Sequence, residues 1–209
     1  MNSQEKSKSF DRLNALAVNE SVEVVLCDYF DTLVSRNCHP EVIKRNWCKR
    51  VVDHFELSYT TDELYKLRLD LEAELCLVNY TALQEQEFRY EDLVSRICTI
   101  LGLEYQLQSY GVDFFLDLEL KLEKKAQIPN KEVVDFLCRQ RELGRKVFLI
   151  SDFYMPRRFF EDILQYHGFR SLFTDIYISS EVLKSKRSGA LFRHFLREES
   201  VDPRCCFMV

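Results

Sequence analysis

Residues 41–126 carry helical periodicity and almost no strand signal, yet they lie between two apolar runs that read as strands. The first run is Val22-Glu23-Val24-Val25-Leu26-Cys27, and the next is Val147-Phe148-Leu149-Ile150. A chain that leaves a strand, spends a long stretch in helix and then returns to strand has few folds open to it. Within the stretch, Thr60-Thr61-Asp62-Glu63 fits a capping box. Leu64, Leu67, Leu71, Leu75 and Val78 then recur at spacings of three and four, one stripe on one helix. Leu93, Ile97, Ile100 and Leu101 draw a second stripe that Gly102 stops, and Asp113 is expected to cap a third helix through Phe114, Leu118 and Leu122.

From Pro129 the character changes. Asn130 is placed to cap a helix carrying Val133, Val134, Phe136 and Leu137, which Gly144 ends. After the strand Val147–Ile150, Pro156 opens a helix with Phe159, Phe160, Ile163 and Leu164, stopped by Gly168. Residues 173–178 read as a strand, Leu191, Phe192, Phe195 and Leu196 as a helix, and residues 205–209 as a last strand. Alternation at this spacing predicts an α/β chain, a Rossmann-like parallel sheet with helices on both faces. The expected core is discontinuous, 20–37 plus 127–209, with an all-helical cap at 38–126. Residues 1–19 form an N-terminal extension with a short helix expected from about 5 to 19.

With 46% apolar residues in 209, the chain can bury a proper core. A net charge of −5 and the lack of a basic patch argue against a nucleic-acid partner. No apolar run approaches the roughly 20 residues that span a bilayer, and the polar start, Met1 to Phe10, has no signal-peptide core. The expected compartment is the cytoplasm. Eight cysteines without a Cys-x-x-Cys pair then read as reduced thiols that serve as small hydrophobes.

In open parallel sheets the ligand sits beyond the carboxyl ends of the strands. Asp28 and Ser151 both follow apolar strands and fall at such ends. Lys186, in Lys186-Arg187-Ser188-Gly189, comes third in order. A carboxylate nucleophile, a hydroxyl and an ammonium suit phosphoryl transfer. Asp28 would attack phosphorus, Ser151 would offer donors to a phosphoryl oxygen, and Lys186 would offset charge on both partners. An anionic nucleophile beside an anionic substrate also calls for a cation such as Mg2+, which prefers oxygen ligands.

These residues resemble the haloacid dehalogenase-like (HAD) hydrolase superfamily. Its first motif, a strand followed by Asp-x-Asp-x-Thr, is matched by Asp28-Tyr29-Phe30-Asp31-Thr32; the second by Ser151; the third by Lys186. The long helical stretch between the first two is similar to the cap type inserted there. A narrower group looks closer still. Its segments are matched by Asp28-Tyr29-Phe30-Asp31-Thr32-Leu33, Ser151-Asp152-Phe153-Tyr154-Met155-Pro156, Ser179-Ser180-Glu181 and Lys186 through Phe192. Members are often joined to glycosyltransferase regions in polysaccharide-related proteins. The resemblance implies Asp28, Ser151 and Lys186 as catalytic residues. It implies Thr32, Asp152 and Lys186 as substrate contacts. Magnesium would be held by Asp28 and the backbone carbonyl of Phe30.

Two departures bear on the chemistry. The superfamily's phosphatases place a general acid two residues after the nucleophile, where this chain has Phe30. Continued strand alternation would send Asp31 to the opposite side. The family's fourth motif, a strand followed by Gly-Asp and another acid, would begin where the sequence stops at Val209, so the sequence reads as part of a longer parent, fused to further domains, in which those acids complete the metal site. The expectation is a Mg-dependent phosphatase forming an aspartyl-phosphate on a small phosphorylated metabolite. The alternatives are a non-catalytic phosphate- or metabolite-binding regulatory domain and a dehalogenase-like hydrolase.

Overall fold

The structure, a computed structural model, describes residues 21–209; the helix expected at 5–19 lies outside them. Among the described residues a four-stranded sheet has the order β5 (Asp175–Ile178), β4 (Lys146–Ser151), β1 (Val24–Cys27), β6 (Cys206–Met208). Every neighbouring pair is parallel. Val24 through Cys27 are all buried, as are Val147 through Ser151, the continuous apolar pattern of strands covered on both faces. Alternation divides them. Val25, Cys27, Val147 and Leu149 face the larger core with Phe136, Phe159 and Phe160. Val24, Leu26, Phe148 and Ile150 face Leu191 and Phe195 of α8 (Ala190–Glu198). The α/β architecture with a parallel sheet is the one expected.

Between β1 and β4 the chain first makes a short antiparallel pair, β2 (Val34–Arg36) with β3 (Gln127–Pro129). Three residues each are too few for a period to show, so this pair was not anticipated. It draws together the two ends of a helical run: α1 (Pro40–Phe55), α2 (Thr61–Leu83), α3 (Tyr90–Leu101) and α4 (Glu104–Ala126). The capping box at α2 is formed, with Glu63 N–H to Thr60 Oγ1 at 3.2 Å and Thr60 N–H to Glu63 at 2.8 Å. Leu64, Leu71 and Leu75 are buried, whereas Val78 and Ile100 are exposed because their turns run past the core. Gly102 closes α3 at φ 68°, a left-handed conformation that glycine takes at no steric cost.

Asp113 does not cap a helix. The helical backbone breaks at Gly111 (φ 70°, ψ 172°), and Asp113 lies two residues further on, its carboxylate paired with Arg158 of α6 (Arg157–His167). Asn130 stands at the start of α5 (Lys131–Glu142), but its side chain makes no cap bond there. Its amide instead donates to Thr32 O at 3.1 Å, which ties the helix to the turn after β1. The last two expected strands are shorter than the runs that announced them: β5 begins only at Asp175, and β6 spans Cys206–Met208 after a 3-10 turn at 203–205. No helix among the described residues is long and apolar enough to cross a membrane.

Candidate active site

Parallel pairing brings the carboxyl ends of all four strands to one edge of the sheet. β1 stops at Cys27, and Asp28 is the first residue past it. The chain then turns sharply: Leu33 and Val34 N–H both donate to Tyr29 O, at 2.9 and 3.0 Å. Asp31 takes φ 61° in that turn and is exposed. Strand alternation therefore ends at Cys27, and it is the turn that sets Asp31's direction. The Asp28 side chain keeps 30% of its surface open. One of its oxygens, Oδ1, accepts the Tyr29 N–H at 2.7 Å and pairs with Lys186 Nζ at 2.6 Å.

Lys186 comes from beyond β5 and is itself anchored. Its backbone N–H donates to Asp152 Oδ1 at 2.7 Å. Burial pushes the Asp152 carboxyl upward, against the pull of Lys186's N–H and ammonium. Asp28, Asp152 and Lys186 are thus one connected cluster. Ser151 is the last residue of β4, nine-tenths and more buried at the same sheet edge, one strand over from β1. Thr32 contributes its carbonyl to Asn130; no contact joins its side chain to the cluster.

Phe30 is held in an aromatic wall. Its ring lies 4.6 Å from Phe153 and 4.9 Å from Tyr29, centroid to centroid, and the Arg36 guanidinium stacks on it at 3.6 Å. Arg36 is neutralised by Glu123 through a fork of hydrogen bonds, the shortest 2.7 Å. Arg36 gave no sequence signal, since a lone arginine in a three-residue strand has no period or motif to mark it.

The Ser179-Ser180-Glu181 segment, α7 (Ser179–Val182), stitches the β4 exit to the β5 exit. Ser179 Oγ accepts the Phe153 N–H at 2.9 Å, Ser180 donates to Met155 O at 2.9 Å, and Glu181 accepts the Arg157 N–H at 3.2 Å. Behind this loop, Tyr154 donates to Glu119 at 2.5 Å and receives Arg68 at 3.1 Å, so the helical run is bonded directly to the residues after Ser151.

All eight cysteines are free thiols. Burial and then Asp28's charge push the Cys27 thiol far up, and burial raises Cys48 to about 12. Beside the candidate nucleophile, Cys27 is therefore packing rather than chemistry.

Among the described residues no group of three or more His, Cys, Asp or Glu side chains converges on a metal-sized site. The Asp28 carboxylate and a main-chain carbonyl such as that of Phe30 still suit magnesium, which binds through one or two carboxylates and retains water and phosphate oxygens.

The sequence matches no family model and no curated protein. Solved structures do match. The HAD phosphatase from Thermococcus onnurineus superposes with a TM-score of 0.56 at 14% identity, covering 90% of this chain and 76% of that one. An L-2-haloacid dehalogenase gives 0.51 at 16% identity, covering 90% and 77%. The L-2-haloacid dehalogenase from Xanthobacter autotrophicus gives 0.51 at 11% identity, covering 90% and 69%. These likenesses show the fold: a parallel sheet with a helical run between its first two core strands, built as in the haloacid dehalogenase-like (HAD) structures.

Proposed function

We propose that the chain is a HAD-type hydrolase domain that cleaves a small phosphorylated metabolite through Asp28. The observation that carries the reading is the Asp28–Lys186 pair at 2.6 Å, at the carboxyl end of β1 and partly open to solvent. An Asp28 oxygen attacks phosphorus, the bond to the leaving oxygen breaks, and an aspartyl-phosphate forms. Water then attacks phosphorus, which returns the carboxylate and releases phosphate. The Lys186 ammonium offsets the charge shared by nucleophile and phosphoryl group, and Ser151 borders the position of the phosphoryl oxygens. Asp28 and the Phe30 carbonyl would hold Mg2+, which when bound supplies further charge stabilisation. The helical run 38–126 acts as a cap over the core formed by 20–37 and 127–209.

Phe30 supports a second reading. It carries no proton for a leaving group, so a halide, which needs none, would also depart. The dehalogenase likenesses agree with dehalogenation of a carbon substrate at Asp28. Turnover assays on an aryl phosphate and on 2-chloropropionate, with and without magnesium, separate the two. Phosphate release that Asp28→Asn abolishes supports the first reading, halide release the second. Turnover that survives Asp28→Asn overturns both.

A further inference from the structure

The loop between α2 and α3, residues 84–89, leaves the helical run and docks on the segment that carries Lys186. Glu85 is only 8% exposed. Its carboxylate accepts three hydrogen bonds: Ser185 N–H at 3.1 Å, Ser185 O–H at 2.8 Å and Ser188 O–H at 2.5 Å. Burial works against this charge, but the bonds from Ser188 and Ser185 hold the Glu85 carboxyl below the ordinary range. The two serines also bond each other, Ser188 N–H to Ser185 Oγ at 3.1 Å. Gly189 N–H closes the turn on Lys186 O at 2.9 Å, and Gly189 takes φ 74° to do so.

Lys186 stands inside this turn. Its N–H is fixed by Asp152, and its flanks are fixed by Glu85. Lysine is a point charge on a flexible stem of four carbons, so the backbone position largely decides where the ammonium can settle. Two residues along the same loop, Glu87 accepts the Ser179 O–H at 2.6 Å, and Arg89 reaches Glu181 O at 3.4 Å. The loop is thereby bonded to both ends of the 179–188 segment.

We infer that Glu85 is a positioning residue for Lys186: it clamps the Ser185–Gly189 turn from the helical run, so that the ammonium is held on Asp28 while the 84–89 loop is docked. This rests on the assignment of the Asp28–Lys186 pair as the reacting centre. Undocking the loop, as substrate passes between the helical run and the sheet, releases the lysine turn. Redocking restores it, so closure and assembly of the charged site become one event.

The test uses the 209-residue chain with Glu85→Gln, and independently Ser185→Ala/Ser188→Ala, which removes both hydroxyl donors and leaves Glu85 intact. Hydrogen exchange of the 184–190 amides should speed by about tenfold or more in each variant, while the β1 and β4 amides keep their protection. With acetyl phosphate and magnesium, kcat should fall on the order of 100-fold and KM by much less, the mark of misplacement rather than lost binding. Unchanged exchange at 184–190 in both variants, or an unchanged kcat alongside faster exchange, would overturn the inference. If the unsubstituted chain has no turnover, the exchange result alone decides whether Glu85 clamps the turn.

Discussion

Arg68 and Glu119 are joined by a two-pronged ion pair, 2.9 and 3.0 Å, with both side chains fully buried. Arg68 lies on α2 and Glu119 on α4. Arg68 also reaches Glu72 at 2.9 Å, and the Arg68 guanidinium lies over the Trp47 ring at 4.8 Å. Burial would lower the Arg68 pKa, but Glu119 and Tyr154 more than reverse this and hold it well above the ordinary value. The network ends on Tyr154, three residues after Ser151.

Removing one partner of such a pair leaves a buried charge without compensation. Arg68→Met should destabilise the chain by roughly 3–5 kcal/mol, because Glu119 loses its fork and is left buried with only the Tyr154 hydrogen bond. Tyr154→Phe removes two hydrogen bonds with charged groups, the one to Glu119 and the one from Arg68, and should cost at least about 1.5–3 kcal/mol. Urea unfolding followed by tryptophan fluorescence checks both, since the single Trp47 lies within the network. An Arg68→Met chain as stable as the parent would contradict the assignment.

On the proposed phosphatase reading, Phe30 offers the leaving group no proton, and the stability of that group becomes the main determinant of rate. Phosphoesters whose leaving group is a stable anion should react well, and alkyl phosphates should lag. Phe30→Asp adds a proton donor at that position and should speed alkyl phosphates selectively, by about 10²–10⁴-fold if the carboxyl reaches the leaving oxygen. Aryl phosphates of low leaving-group pKa should change little. A rate series across leaving groups, parent against variant, reads the result; equal effects on both classes would contradict it.

The pH dependence of loop docking follows from Glu87. Burial raises its carboxyl to about 7, the Ser179 hydrogen bond pulls the other way, and Asp152 and Glu85 raise it further. An acid whose docked pKa is raised binds its proton more tightly when docked. Docking is therefore strongest below the ordinary carboxyl value and weakens as pH rises from there through about 7. The effect is on the order of 1–2 kcal/mol once partial solvent screening is allowed for. Exchange of the 84–89 amides, corrected for intrinsic rates, should show less protection at pH 8 than at pH 5.5. Glu87→Gln should remove that difference; a difference that persists would point to another group.

Much of this architecture was legible in the sequence because it depends on periods and punctuation. The buried runs at Val24–Cys27 and Val147–Ile150 announced parallel strands, and Thr60 with Glu63 announced the start of α2. Asp28 and Lys186 were legible as a pair in order, and the structure brings them to 2.6 Å. What stayed hidden depends on tertiary contact. Glu85 and Glu87 sit in a polar stretch, Gln84-Glu85-Gln86-Glu87, that reads as an ordinary solvated loop; only the fold carries it against Ser185 and Ser179. Asn130 looked like a helix cap because its position is one, yet a nearby carbonyl, that of Thr32, takes its side chain instead. The third helix was expected to begin at Asp113, yet the chain is already helical from Glu104 and breaks at Gly111, two residues before that expected start.

The central claim is a covalent bond between Asp28 and phosphorus. The most direct measurement is to mix the chain with magnesium and acetyl phosphate, quench with borohydride, and map the digest by mass spectrometry. Borohydride reduces an aspartyl-phosphate to homoserine. The account predicts homoserine at position 28 and none in Lys186→Met or Asp28→Asn. Phosphoester hydrolysis that proceeds with Asp28 unmodified, or that survives in Asp28→Asn, would contradict it.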